Sequence, residues 1–164
     1  MMDFDFMGVE AGIIDSSLLS GIVYETTKPP SFLNAAFSMD AVSLKVGELD
    51  IDAASQMEGR DDVSNDRGLL SFQITGREVL GSFNPEMLAV ASHDFHGKWF
   101  AGTEMILDFA WGASAGNKFR FYAPAVQYTK IEDEDRGGIQ IAKCAFDLNS
   151  SVTPGDDDYC LLCL

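Results

Sequence analysis

The chain is short of positive charge, cysteine and long apolar runs, and each shortage removes a class of function. Lys and Arg number 11 against 26 Asp and Glu, for a net charge of −15 and a pI near 4.2. A protein that grips a duplex neutralises phosphates with a basic groove or stripe, so this charge balance argues against sequence-specific nucleic-acid binding. The three cysteines make no even-numbered disulfide framework. Cys160 and Cys163 have CxxC spacing, but no second pair or histidine follows to complete a zinc site. They read as small apolar strand residues of a reducing compartment. Leu161, not Cys, stands fourth from the end, which rules out a prenylation box. No run approaches the roughly 18 uncharged apolar residues of a membrane span. The opening MMDFDFMG is acidic and lacks the basic and apolar regions of a signal peptide, so the expected setting is a cytosol.

Catalytic signatures are missing as well. There is no GxSxG elbow to present a serine nucleophile and no GxxxxGK[ST] loop to cradle phosphates. Paired carboxylates for glycoside hydrolysis cannot be recognised by spacing among 26 acids, which leaves a glycan hydrolase only as a minor alternative to a non-enzyme. No cofactor is implied.

What is present is material for a β-rich core. The chain has 164 residues, 46% of them apolar, with 12 Phe, enough for one domain, 1–164, that folds without disulfide staples. Asp3-Phe4-Asp5-Phe6 alternates as a half-buried strand does. Ile22-Val23-Tyr24 is a short β-prone run stopped by Lys28-Pro29-Pro30. Val42, Leu44 and Val46 share one parity and Leu49 and Ile51 the other, so Gly47 marks a β-bulge or a tight turn. The run 53–68 has almost no large apolar residue and reads as a long polar loop with a job of its own.

Leu70, Phe72 and Ile74 then form a strand with one buried face, closed by Gly76. The one helix is placed at about 85–96. Asn84 is read as its cap, Pro85 as its first residue and Gly97 as its end, with Met87, Ala91 and Phe95 as its apolar stripe. Met105, Leu107, Phe109 and Trp111 share a strand face, and Ile106 on the other face implies cover by a neighbour. From 118 to 164 come alternating strands with turns at Gly137-Gly138 and Pro154-Gly155-Asp156. Ile139 and Ile141 lie on one parity and Cys144, Phe146 and Leu148 on the other. That implies either a bulge near Ala142 or a strand buried on both faces, the second meaning contact with another layer or subunit. The architecture expected is mainly β, an antiparallel sandwich or barrel of about seven to nine strands with one flanking helix.

Two clusters resemble metal sites. Glu132, Asp133 and Asp135 gather carboxylate oxygens of the kind calcium takes, but the spacing is not that of an EF-hand loop, and solvated turns are the simpler reading. A calcium-dependent carbohydrate-binding sandwich follows as the main alternative function. His93 and His96 flank Asp94, too few ligands for a defined site, and a polar helix end accounts for them. Arg67, Arg77 and Arg120 stand out in an acidic chain as cations expected to meet carboxylates, within a subunit or across an interface.

The order of signals carries more than any one of them. It runs FDFMG, a Pro-Pro segment, SLKVGELDID, a polar loop, FQITGREVLGSFNPE, a strand ending in Trp-Gly, FYAPAVQY, the EDRGG turn, AFDLN and a final GDDD. Taken together, and above all in Ile74-Thr75-Gly76-Arg77, Gly81-Ser82, Pro85-Glu86, Ala123-Pro124 and Gln127-Tyr128, it resembles the tail tube (major tail) protein of long-tailed phages and prophages. The resemblance is to the C-terminal part of longer members, which implies a chain lacking an N-terminal portion. It also implies a β-sandwich assembled as hexameric rings that stack into a tube, in the virion tail and, before assembly, the host cytoplasm. The partners implied are further copies of the chain, other tail proteins and DNA as non-specific passing cargo, with no membrane. On this view 53–68 is an arm reaching a neighbour, and the subunit-contact candidates are Arg60, Asp61, Asp62, Asp66, Arg67, Arg77, Ile139 and Ile141.

Overall fold

A computed structural model describes residues 3–9, 12, 14–18, 20–24, 26–152 and 155–164. Among them are ten strands and one helix, and every strand pairing is antiparallel. The chain divides into two compact units, Pro29–Ala54 with Glu78–Leu164, and Met1–Lys28 with Ser55–Arg77.

The larger unit holds the strands β1 (Ala36–Met39), β2 (Val42–Ser43), β3 (Val46–Asp52), β6 (Val79–Pro85), β7 (Met105–Ser114), β8 (Asn117–Arg136), β9 (Ile139–Asn149) and β10 (Cys160–Cys163), and the helix α1 (Phe95–Ala101). They form one sheet in the order β2-β1-β7-β8-β9-β6-β3, with β10 beside β8. In a flat sheet β1 and β6, four steps apart, would be separated by roughly 19 Å. Instead the rings of Phe37 on β1 and Phe83 on β6 are 5.5 Å apart. The sheet therefore folds over on itself, as a sandwich does, and the ladder does not close into a barrel. Only Leu44 and Lys45 separate β2 at one end of the sheet from β3 at the other. Leu44 N donates to Phe37 O and Lys45 O accepts from Glu86 N, so this link is tied to both halves.

Alternation predicted the inward faces well. Met105, Leu107, Phe109 and Trp111 are buried from β7, and Cys144, Phe146 and Leu148 from β9. The phase slip at Gly47 is a β-bulge, because one extra residue of β3 lies between Val46, opposite Pro85, and Leu49, opposite Phe83. The other slip is not near Ala142 on β9. It is on β8, where Tyr128 and Lys130 face the adjacent residues Phe146 and Ala145 and leave Thr129 over. Its carbonyl accepts from Trp99 Nε1 at 3.0 Å, which docks the helix on the bulge. Gly81 permits a close approach, since a Cβ there would stand 2.4 Å from the Phe146 ring.

Four expectations fail for identifiable reasons. The helix is not at 85–96. Asn84 Oδ1 accepts from Gly47 N and Glu48 N, which clamps the bulge of β3 instead of capping a helix. Pro85 pairs with Val46 at the end of β6, and Met87 N donates to Gln140 O. The backbone is thus held extended, and the helix starts where Asp94 can cap it by accepting from Gly97 N at 2.8 Å; Gly102 ends it at φ 61°. The run 53–68 is not all loop, because Ser55–Asp61 is a strand, β4, paired with β5 (Leu69–Arg77) in a sheet of its own. A ribbon with no third strand has no inside, so β4 shows no alternation to read. Residues 3–6 and 22–24 form no strand. Their alternation specifies a face, but a strand also requires a partner ladder. Ile106 is 42% exposed, so no neighbouring element of its own chain covers it, and its backbone is held by Asp40 on both sides.

Candidate assembly surfaces

The smaller unit consists of the described residues up to 28 and the hairpin β4–β5. No residue described in it is buried. The face of β5 expected to be buried is open instead, because the ribbon has no layer to pack on: Leu70 is 51% and Ile74 61% exposed, and Val63 stands fully in solvent at the tip. The tip is built by side chains acting as local acceptors. Asp62 takes Ser64 N and Asn65 takes Arg67 N, an Asx pattern that orders a turn without tertiary support. The Asp62 carboxyl is held below its usual range by its hydrogen bonds from Ser64. The Arg67 guanidinium lies over Gly12, where a Cβ would be 3.5 Å from Nη2. Before the hairpin, Phe4 and Phe6 stack at 6.4 Å yet are 69% and 90% exposed.

The arm candidates thus fall on one element. Arg60 and Asp61 are on β4, Asp62, Asp66 and Arg67 on the turn, and Arg77 at the end of β5. The other two separate. Ile139 is exposed at the β8–β9 turn, whereas Ile141 is buried within its own unit, where it bridges Glu86. Residues 86 and 87 pair along the edge of β9 there, through the Glu86–Ile141 bridge and the bond from Met87 N to Gln140 O.

In the larger unit, the end of the β8–β9 hairpin carries the acidic run. The calcium candidates lie on an extended strand, so Glu132 points to one face and Asp133 and Asp135 to the other. Glu132 meets Lys130 at 2.8 Å, Asp133 meets His96 at 3.3 Å, and Asp135 accepts from Gly138 N. Among the described residues no three His, Cys, Asp or Glu side chains gather closely enough to hold a metal ion. Nothing in the arrangement supports the carbohydrate-binding or hydrolase alternatives. His93 and His96 also diverge: His96 is exposed toward Asp133, while His93 is buried with Nε2 3.1 Å from the Tyr128 hydroxyl and Nδ1 without a hydrogen bond. Burial pulls the His93 pKa down, helped by the charge of Lys98 and opposed by Asp40 and Asp94. Burial likewise pushes the Cys144 thiol up to about 12, so it is an inert core residue.

Two carboxylates, Asp40 and Asp108, anchor the larger unit and were not singled out in the sequence. Asp40, at φ 50° in the β1–β2 turn, receives Lys98 Nζ at 2.6 Å and Ile106 N at 3.1 Å, joining that turn to α1 and to the start of β7. Burial raises its pKa, but these bonds outweigh that and leave it lowered. Arg120 meets a carboxylate within the subunit, gripping Asp108 through Nε and Nη2 at 2.8 and 2.6 Å. Spacing could have flagged this last pair, since 108 and 120 sit on consecutive strands around the Gly116 turn. No local pattern marks Asp40. These contacts tie the elements of the larger unit together, and the smaller unit has no buried residue among those described.

A family model described as phage tail tube protein matches residues 1–152. Among curated proteins, none matches the chain.

Proposed function

The chain belongs to the phage tail tube protein family, and from that premise we propose that it self-assembles into stacked hexameric rings whose bore carries DNA. As a family member it is a structural protein of the virion tail, built into an oligomeric tube with other tail proteins, and no catalytic role is assigned to it. Before assembly the subunit resides in the host cytoplasm.

One observation carries the assembly reading: the smaller unit exposes large apolar side chains, with none of its described residues buried. Phe6 at 90% and Leu18 at 95% exposure lie in it, with Phe4, Ile22, Val23, Tyr24, Leu70 and Ile74. Soluble monomers rarely expose apolar patches of more than a few hundred Å². Copies of the same chain are the partners that a tube provides, and closure into a ring is how such a surface is covered without open-ended growth in the plane. The hairpin carrying Arg60, Asp61, Asp62, Asp66, Arg67 and Arg77 is the arm that reaches a neighbouring copy, and Ile139 is a second point of contact.

The net charge of −15 suits the passage of DNA. A duplex carries one negative charge per about 1.7 Å of axis, so an acidic wall repels it and discourages sticking. Electron microscopy of the purified protein tests the proposal, with rings and tubes expected. A persistent monomer at high concentration would overturn it. Deleting 56–65 is expected to leave a folded subunit that forms no tubes, and normal tubes from the deletion would remove the arm from the account.

A further inference from the structure

One titratable ring lies inside the larger unit with half of its hydrogen-bonding capacity unused. His93 is 2% exposed, with Nε2 3.1 Å from the Tyr128 hydroxyl and Nδ1 without a partner among the described residues. Burial pushes the Tyr128 pKa up, so its hydroxyl keeps its proton and either donates to Nε2 or accepts from it. A neutral imidazole is compatible with both. A protonated ring carries N–H on both nitrogens. Tyr128 then takes Nε2–H, while Nδ1–H faces no acceptor, and a buried charged donor left in that state is strongly unfavourable.

The charged groups nearby are already engaged. Asp40, from the β1–β2 turn, receives Lys98 Nζ at 2.6 Å and Ile106 N at 3.1 Å, and Asp94 receives Gly97 N as the helix cap. Both carboxylates attract an imidazolium and Lys98 repels it. On β9, Cys144 stays a neutral thiol, and the Phe95 ring packs edge-on to the imidazole at 4.5 Å. His96 and Asp133 form an exposed pair at 3.3 Å, of the kind that contributes little. The helix is the part with freedom to respond. It is held to the sheet by the buried Phe95, by His93 on Tyr128, by Lys98 on Asp40 and by Trp99 Nε1 on Thr129 O in the bulge of β8. Ahead of it residues 89–92 are exposed, and behind it stands Gly102 at φ 61°. The strand β8, by contrast, is paired with β7 on one side and β9 on the other.

We propose that His93 is an acid-sensitive latch, in which a proton taken up by its buried ring undocks α1 from the bulge of β8 while the strands stay paired. Undocking brings the ring to water, which supplies the acceptor that Nδ1–H lacks in the docked state. The sign follows from the environment of the docked ring. Burial, and then Lys98, hold its pKa below 6.5, whereas an undocked ring in water returns toward that value. The undocked form therefore binds more protons, so docking is complete above about pH 6.5 and weakens as the pH falls below it. Release uncovers the ring of Phe95 and frees the Thr129 carbonyl. The latch is built from contacts within the larger unit and rests on no reading of assembly.

Amide hydrogen exchange on the full chain tests it, with parent and variants compared at the same pH so that the chemical dependence of exchange on acid cancels. His93→Gln keeps a hydrogen-bonding group beside Tyr128 and takes up no proton. At pH 7.5 the amides of α1 should be protected alike in parent and variant. At pH 5.5 those of the parent should be less protected by up to about tenfold, since each pH unit below 6.5 favours the undocked form by up to that factor. Protection along β8 should stay equal in the two, because the sheet does not open. His96→Gln should behave as the parent does, which separates the buried ring from the exposed one. Equal protection of α1 in parent and His93→Gln at pH 5.5 overturns the latch, as does a matching loss along β8, which would mean unfolding of the whole unit. If His93→Gln does not fold at pH 7.5, the protection of α1 relative to β8 within His96→Gln decides. A ratio that falls below pH 6.5 supports the latch, and a constant ratio overturns it.

Discussion

Every buried hydrophobic residue described lies in Pro29–Ala54 or Glu78–Leu164, and none lies in the hairpin unit of Met1–Lys28 and Ser55–Arg77. The smaller unit is not without large apolar residues, Phe4, Phe6, Leu18, Ile22, Leu70 and Ile74 among them, so composition alone does not explain the difference. Topology does. The larger unit has eight strands, and its sheet turns back on itself so that Phe37, Phe83, Tyr128 and Phe146 meet in one aromatic cluster. The smaller has a two-stranded ribbon, and such a ribbon is marginal alone in water. One unit stores its apolar surface; the other presents it. That division suits a subunit that must fold before it assembles.

The largest expected effect lies at the centre of the stored surface. Phe83 is 2% exposed and its ring sits 5.5 Å from Phe37 and 5.4 Å from Phe146. Phe83→Ala removes those contacts and leaves a cavity, which costs about 3–5 kcal/mol and lowers the melting temperature by about 10 °C. Phe6→Ala, in the other unit, should cost under about 0.5 kcal/mol in the isolated subunit. Calorimetry on the two variants breaks the comparison if their losses are alike.

Adding volume in the larger unit should cost somewhat less. Gly81→Ala drives a methyl to 2.4 Å from the Phe146 ring, with Asp50 O at 3.0 Å behind it. Overpacking of this kind costs about 1–3 kcal/mol, visible as an earlier urea midpoint. Gly68→Ala, in the smaller unit, has open space but a φ of 68°, so any loss there comes from the backbone alone.

Acid should also act on the larger unit through His93. Its pKa is lowered from 6.5 by burial, then by Lys98. The folded state therefore binds fewer protons than the unfolded state once the pH falls below about 6.5. The stability associated with a neutral His93 is complete above that value and is lost as the pH drops toward the depressed folded pKa. Urea melts at pH 7.5 and 5.5 should show the loss, and His93→Gln should reduce the dependence. A dependence unchanged in the variant would point to other groups.

The larger unit was the legible one. Where a strand is covered on one side, alternation names the inward residues, and β7 and β9 follow it residue by residue. Tail tube membership was readable from the order of short motifs. Failures arose where a local signal was answered by a distant partner. Asn84 has the oxygen of a helix cap, but the oxygen is taken by Gly47 and Glu48, 37 and 36 residues away. The alternation of residues 3–6 promised a buried face that no packing supplies. For the candidate surfaces the limit is deeper. Within one subunit the β4–β5 ribbon packs on nothing that buries it, so β4 looked like part of a loop and the alternation of Leu70, Phe72 and Ile74 on β5 promised a buried face that the subunit does not supply.

Ile74→Ser carries the smallest expected change in the subunit and the sharpest division between the two units. The side chain is 61% exposed on β5, opposite Met57 on β4. An exposed apolar residue gains little from burial within its own chain, so replacing it should shift the subunit's unfolding free energy by no more than about 0.5 kcal/mol. On the proposed assembly the same side chain is covered, and burying a serine hydroxyl without a partner costs about 1–3 kcal/mol beyond the lost apolar contact. That cost recurs at every copy. The variant should therefore melt like the parent as a monomer while its critical concentration for tube formation, followed by light scattering, rises by about tenfold or more. Equal critical concentrations would place Ile74 in solvent in the tube, and the apolar surface presented by the smaller unit would then have to be covered through Phe4, Phe6 and the residues near them instead of through the hairpin.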